Sequence, residues 1–128
     1  FLVFCYVLLL QQLAFWLAEQ PSVETVLHPA LSSCPGHEIW RRDFTGSASI
    51  FSFVFKSHIS RQGIENFLNT LEIFKIGLSW GGTNSLAVMY PEIKRKRKSF
   101  LRNLVRLNIG LEDPEDLIND LRRGMKVL

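Results

Sequence analysis

Leu104-Val105-Arg106-Leu107-Asn108-Ile109 is followed at once by Gly110 and then by Asp113-Pro114. The first six residues are apolar and β-prone, the glycine reads as a turn, and Asp-Pro reads as a helix start. Strand, turn and helix in such quick succession mark an α/β unit. Val105, Leu107 and Ile109 alternate and so share one strand face, while Arg106 and Asn108 share the other. Arg106 has two readings. It is a solvated residue on a wet face, or a fixed guanidinium fork that grips a carboxylate through two parallel hydrogen bonds.

Downstream, the helix is well specified. Asp113 suits the N-cap and Pro114 the first turn; Glu115 and Asp116 suit the positive end, and Arg122 and Arg123 the negative end. Leu117, Ile118, Leu121 and Met125 fall on one stripe, and Gly124 reads as the terminator. Upstream, Ser85 to Tyr90 reads as a strand, preceded by the tight loop Ser79-Trp80-Gly81-Gly82 and a short strand over 74–78. Ser60 can cap a helix running to residue 72, with Ile64, Phe67, Leu68 and Leu71 at spacings of three and four. Residues 47–55 form a strand that is apolar on both faces, and 23–27 a short strand. Pro29, Ser32, Ser33, Pro35 and Gly36 mark a long loop, and residues 10–19 read as a helix ended by Gln20-Pro21. The fold class is therefore α/β: a few-stranded, mostly antiparallel sheet with helices on one face.

A chain of 128 residues is one domain or a piece of a larger one, and its 47% hydrophobic content excludes disorder. The net charge of +3 is local, because Lys94-Arg95-Lys96-Arg97-Lys98 alone carries five positive charges. That run has no interleaved aromatics and no nucleic-acid motif beside it, so it reads as a solvated loop; nucleic acid and anionic lipid are the competing partners. Cys5 and Cys34 make no disulfide framework, which fits a reducing compartment. Cys34 and His37 have a C-x-x-H spacing, but His28 and His58 stand too far away to complete a four-ligand metal site.

Residues 1–18 are apolar except for Gln11 and Gln12. A signal peptide wants a basic start, yet the first arginine or lysine is Arg41. A membrane anchor wants about 20 apolar residues with basic flanks. The preferred reading is a buried element of a larger protein, and the absence of an initial methionine leaves the true start open.

Three clusters besides Arg106 invite chemistry. Ser79-Trp80-Gly81-Gly82 joins a hydroxyl, an indole and two permissive glycines; the competing reading is a β-turn with a core tryptophan. His37 to Gly46 mixes charge and aromatics in a loop and reads as a packed surface, with no nucleophile–base–orienter set. The third is the basic run. No phosphate-loop, dinucleotide or zinc-protease motif is present. None of Lys56, Lys75, Lys94, Lys96, Lys98 and Lys126 sits where a Schiff-base nucleophile is marked.

Five segments together resemble one family. They are His28-Pro29-Ala30-Leu31, Pro35-Gly36-His37-Glu38, Trp40-Arg41-Arg42-Asp43-Phe44-Thr45-Gly46, Ser79-Trp80-Gly81-Gly82 and Arg106-Leu107-Asn108-Ile109-Gly110-Leu111-Glu112-Asp113. In this order they resemble the C-terminal domain of the cystathionine β-lyases, in the Cys/Met-metabolism group of pyridoxal-phosphate enzymes. The resemblance covers residues 14–128; residues 1–13 form an apolar segment atypical of the family. Asn84, where many relatives have glutamate, and the strongly basic run 94–98 also depart from it. The resemblance implies the small C-terminal domain of the aspartate-aminotransferase-like fold. It implies a parent reaction of β-elimination, cystathionine giving homocysteine, pyruvate and ammonia. It further implies that Arg106 binds the substrate α-carboxylate with Ser79 and Trp80 beside it. The cofactor-binding lysine and its neighbours lie in the family's large domain, which this sequence does not contain. The expectations are a chain without catalytic residues of its own, inactive alone and prone to self-association. Its parent would be a cytoplasmic homotetramer of methionine metabolism, without nucleic acid or membrane. A γ-synthase or γ-lyase fragment, and a membrane-tethered small domain, are the alternatives.

Overall fold

The computed structural model describes residues 2–93 and 102–128, with side chains from residue 10 onward except 91 and 92. The basic run 94–98 lies outside the described residues. In chain order the elements are α1 (Leu2–Ala18), β1 (Val23–Leu27), α2 (His37–Asp43), β2 (Ile50–Phe55) and α3 (Arg61–Thr70), then β3 (Lys75–Ile76), β4 (Leu86–Glu92), β5 (Arg102–Asn108) and α4 (Pro114–Met125). The five strands lie in the order β1-β2-β5-β4-β3. All pairs are antiparallel except β3 with β4. The expected mostly antiparallel sheet is therefore present, with β5 at its centre.

Register sorts the side chains into two faces. Phe51 pairs with Leu107 and Phe53 with Val105, while Ala87 and Met89 oppose the same two β5 residues from the other side. These residues join the buried cluster that α1, α3 and α4 supply with Leu13, Leu17, Ile64, Phe67, Leu117 and Leu121. Phe53, Phe55 and Phe67 meet edge to face at 4.9 and 5.2 Å, a geometry that adds to the area they bury. The even-numbered residues Ser52, Val88 and Arg106 line up across the opposite face.

Local chemistry sets the element ends. The Ser60 hydroxyl accepts the Gly63 amide at 3.0 Å and the Asp113 carboxylate accepts the Glu115 amide at 2.8 Å, so both expected caps form. Asp120, on α4 and buried, accepts the amides of Glu72, Ile73 and Phe74 at 2.9, 2.8 and 3.0 Å and also meets Arg123. Those bonds take the amides that a longer α3 or β3 would use. The helix expected to reach residue 72 stops at Thr70, and the strand expected over 74–78 shrinks to Lys75–Ile76.

Three further expectations need correction. The first helix begins at Leu2, not near residue 10, and Leu10, Leu13, Ala14 and Leu17 are buried in the core. Among the described residues no helix is long and apolar enough to cross a membrane. Residues 37–43, read as loop, form α2, which buries none of its side chains and so shows no apolar stripe. Charges placed with the helix dipole support it, Glu38 in the first turn and Arg41 and Arg42 in the last. Gly124 does not end α4. A Cβ there would come within 2.8 Å of the Phe67 ring and 2.9 Å of Leu71, so the glycine lets α4 pack closely on α3.

Candidate functional site

The middle strand presents Arg106 and Asn108 on the face away from the helices, and both reach the loop between β3 and β4. Arg106 is half-buried. Its Nη2 donates to the Leu78 carbonyl at 2.6 Å, and its guanidinium carbon lies 5.7 Å from the centre of the Tyr90 ring. One hydrogen bond and one aromatic face thus fix the plane of the guanidinium. Among the described residues Leu78 is its single hydrogen-bond partner. The guanidinium thus keeps contact with solvent while one hydrogen bond and one aromatic contact restrain it.

Asn108 shares that face but is buried. Its Oδ1 accepts from the Gly81 amide at 2.8 Å and the Ser49 hydroxyl at 3.2 Å, and its Nδ2 donates to the Asn84 carbonyl at 3.2 Å. The strand's continuation holds the rest of the loop. The Leu111 amide donates to the Thr83 carbonyl at 2.8 Å, and Glu112 accepts both the amide and the hydroxyl of Ser85 at 2.8 Å. Ser85 Oγ in turn accepts the Gly110 amide at 2.9 Å. A Cβ at Gly110 would fall 2.2 Å from the Thr83 carbonyl oxygen, so this glycine is required by space. Gly81 is required by conformation, with φ at +75°.

Between the Leu78 and Gly81 pins stand Ser79 and Trp80. Both are exposed, Trp80 at 65% of its surface, so the core-tryptophan reading of this turn fails. The structure therefore brings Arg106 to the residue next to Ser79 and leaves the hydroxyl and indole open beside it. Sequence reasoning missed Tyr90 and the clamping set Asn108, Ser85 and Glu112. Asn108 carried a readable signal, a polar residue two positions from Arg106 on the same strand face.

The other titratable residues belong elsewhere. His28 is fully buried edge-on to Phe51 at 5.2 Å, and its Nδ1 accepts the Ala30 amide at 3.2 Å. Burial lowers its pKa to about 4. His37 Nδ1 donates to the Pro29 carbonyl at 2.7 Å, and burial raises the Cys34 thiol above its ordinary range. Among the described residues no group of three or more His, Cys, Asp or Glu could hold a metal ion.

The fold is a small α/β domain with a five-stranded mixed sheet and a tethered arginine on its open face. Over 94% of this chain it superposes on 28% of a protein from Campylobacter jejuni assigned as an O-acetylhomoserine (thiol)-lyase, with a TM-score of 0.79 at 22% identity. That structure carries a pyridoxyl-lysine monophosphate. The model of the Cys/Met metabolism PLP-dependent enzyme family matches residues 10–126, and the chain belongs to that family. It is 45% identical to the cystathionine β-lyase MetC of Escherichia coli over 88% of this chain and 30% of that protein. Against the cystathionine β-lyase of Haemophilus influenzae the identity is 41%, over 90% and 31% of the two chains. The chain thus spans about a third of the length of these curated relatives.

Pyridoxal phosphate is the cofactor of the family. The described residues do not build a seat for it. Lys75 and Lys126 are exposed, Lys56 is half-buried, and none of the three lies in the loop pinned by β5. What the site does offer is a guanidinium, a hydroxyl and an indole, a donor set suited to a carboxylate.

Proposed function

We propose that this chain is the small-domain part of a carbon–sulfur lyase of the cystathionine β-lyase type, and that Arg106 grips the substrate α-carboxylate. The observation that carries the reading is the pinned guanidinium beside the open Ser79-Trp80 pair. With one edge tied to Leu78, the remaining N–H groups form a pre-oriented fork for two carboxylate oxygens. The Ser79 hydroxyl supplies a further donor, and the Trp80 ring shields one side of the ion pair from water. Holding the carboxylate fixes the rotation of the Cα bonds relative to the cofactor, which serves as electron sink when bound in the large domain. Cystathionine and water would then give homocysteine, pyruvate and ammonia.

In this reading residues 14–128 form the small domain, residues 1–13 lead into it, and the catalytic lysine comes from the large domain. The chain alone has no lyase activity. The complete enzyme is a cytoplasmic homotetramer in methionine biosynthesis by transsulfuration. Similarity to the cystathionine γ-lyase of Bos taurus, 36% identical over 88% of this chain, favours γ-elimination as the second reading.

The test is a hybrid in which residues 10–126 replace the matching segment of the E. coli β-lyase, loaded with pyridoxal phosphate. Release of pyruvate from cystathionine supports the first reading, and release of 2-oxobutyrate the second. Arg106→Lys in the hybrid raises KM about 100-fold, because a point charge replaces the fork. An unchanged KM in that variant removes Arg106 from the site.

A further inference from the structure

We propose that Asn108 is a positioning residue of the carboxylate site, holding Ser79 and Trp80 in register with Arg106. The inference rests on the β-lyase reading for its ligand and on geometry for the rest. Arg106 and Asn108 stand two residues apart on one face of β5, the strand bonded on both sides within the sheet. They fasten the loop at two points three residues apart, Arg106 at the Leu78 carbonyl and Asn108 at the Gly81 amide. The backbone between those points, which carries Ser79 and Trp80, is tethered to β5 by these two bonds.

Asn108 is suited to this task in a way that a simple core residue is not. Both ends of its amide are used within the loop, the oxygen at Gly81 and the nitrogen at Asn84. The Gly81 N–H can only donate and the Asn84 carbonyl can only accept, which fixes which way the amide faces, and the Ser49 hydroxyl donates to the same oxygen. The Gly81 amide it holds belongs to a residue with φ at +75°, the point at which the loop reverses. Releasing that amide frees the Trp80–Gly81 peptide to rotate, which displaces the indole and the Ser79 hydroxyl while Arg106 stays on its strand. A site assembled from a strand residue and loop residues binds well only when the two move as one body.

The experiment measures hydrogen exchange at the Gly81 amide in this chain and kinetics in the hybrid holoenzyme. Asn108→Leu keeps the branched shape with somewhat greater bulk and removes both polar atoms; Asn108→Asp keeps the acceptor oxygen. In Asn108→Leu the Gly81 amide exchanges at least about tenfold faster while amides of β2 and β5 keep their protection. KM for cystathionine rises about tenfold, with a smaller fall in kcat. A merely structural role gives the opposite split, since partial unfolding removes active sites and lowers kcat at constant KM. Asn108→Asp keeps Gly81 protected, and it decides the matter if the leucine variant does not fold. The inference is overturned if Gly81 keeps its protection in Asn108→Leu, if it loses protection in Asn108→Asp, or if KM stays within twofold in an active Asn108→Leu hybrid. A wild-type hybrid that cleaves neither way removes the lyase reading instead, and Gly81 exchange in the chain itself then decides whether Asn108 holds the loop.

Discussion

Replacing Asp120 by alanine removes a carboxylate that accepts three consecutive backbone amides from the α3–β3 junction. The costs separate by depth. The Phe74 amide is buried, and losing a charged acceptor there costs about 2–3 kcal/mol. The amides of Glu72 and Ile73 lie nearer the surface, where water restores part of each bond, so each costs about 1 kcal/mol. Arg123 keeps its ion pair with Glu72 at 3.1 Å and adds little to the loss. The sum is about 4 kcal/mol, a large share of the total for a domain of this size. Asp120→Asn retains one oxygen, which can serve Ile73 and Phe74, but turns its NH2 towards the Glu72 amide; about 2 kcal/mol is expected. Urea unfolding at low micromolar concentration, followed by far-ultraviolet circular dichroism, measures both. Ranking matters as much as size: wild type, then asparagine, then alanine. An alanine variant within 1 kcal/mol of wild type would refute the view that these three bonds organise the junction.

Gly124→Ala gains about 1 kcal/mol of helix propensity but drives a methyl into Phe67 and Leu71, so a net loss of about 1–2 kcal/mol and a lower Tm are expected. His28 has a folded-state pKa of about 4, below its unfolded value, so the unfolded chain takes the proton first. Stability therefore falls by about 3 kcal/mol as pH drops from about 6.5 to about 4, then levels; urea midpoints across that range, with His28→Gln showing a flatter slope, check it. Ile76, Leu78, Trp80 and Leu111 are exposed around the candidate site, and Ile39 and Phe44 on and after α2. Sedimentation velocity should show concentration-dependent self-association of the isolated chain; a monodisperse monomer at high concentration contradicts this.

What was legible in the sequence is what repeats or punctuates. The alternation of Val105, Leu107 and Ile109 and the Asp113-Pro114 start placed β5 and α4 correctly. The caps at Ser60 and Asp113 also formed as read. Two of the misses, at β3 and Gly124, come from tertiary contacts that overrule local pattern, and the third from a helix with no buried face. α2 carries no apolar stripe because it buries nothing. β3 starts late because Asp120, 46 residues away, claims the Phe74 amide. Gly124 looked like a helix end because glycine commonly is one, but its neighbours Phe67 and Leu71 come from α3 and its C-cap. For the candidate site, Arg106 and the Ser79-Trp80 pair stood out in the sequence, their shared carboxylate role came from resemblance, and the physical link between them, through Leu78 and Asn108, became visible only in the fold.

The two faces of β5 give the domain a parity. Odd positions Val105, Leu107 and Ile109 are buried in the core; even positions Arg106 and Asn108 hold the loop. Point substitutions can therefore drift on one set while leaving the other untouched. Insertion or deletion of a single residue cannot, because it exchanges the sets wholesale, sending a guanidinium towards the phenylalanines and valine and leucine towards the solvent. Length along this strand is thus under tighter constraint than composition.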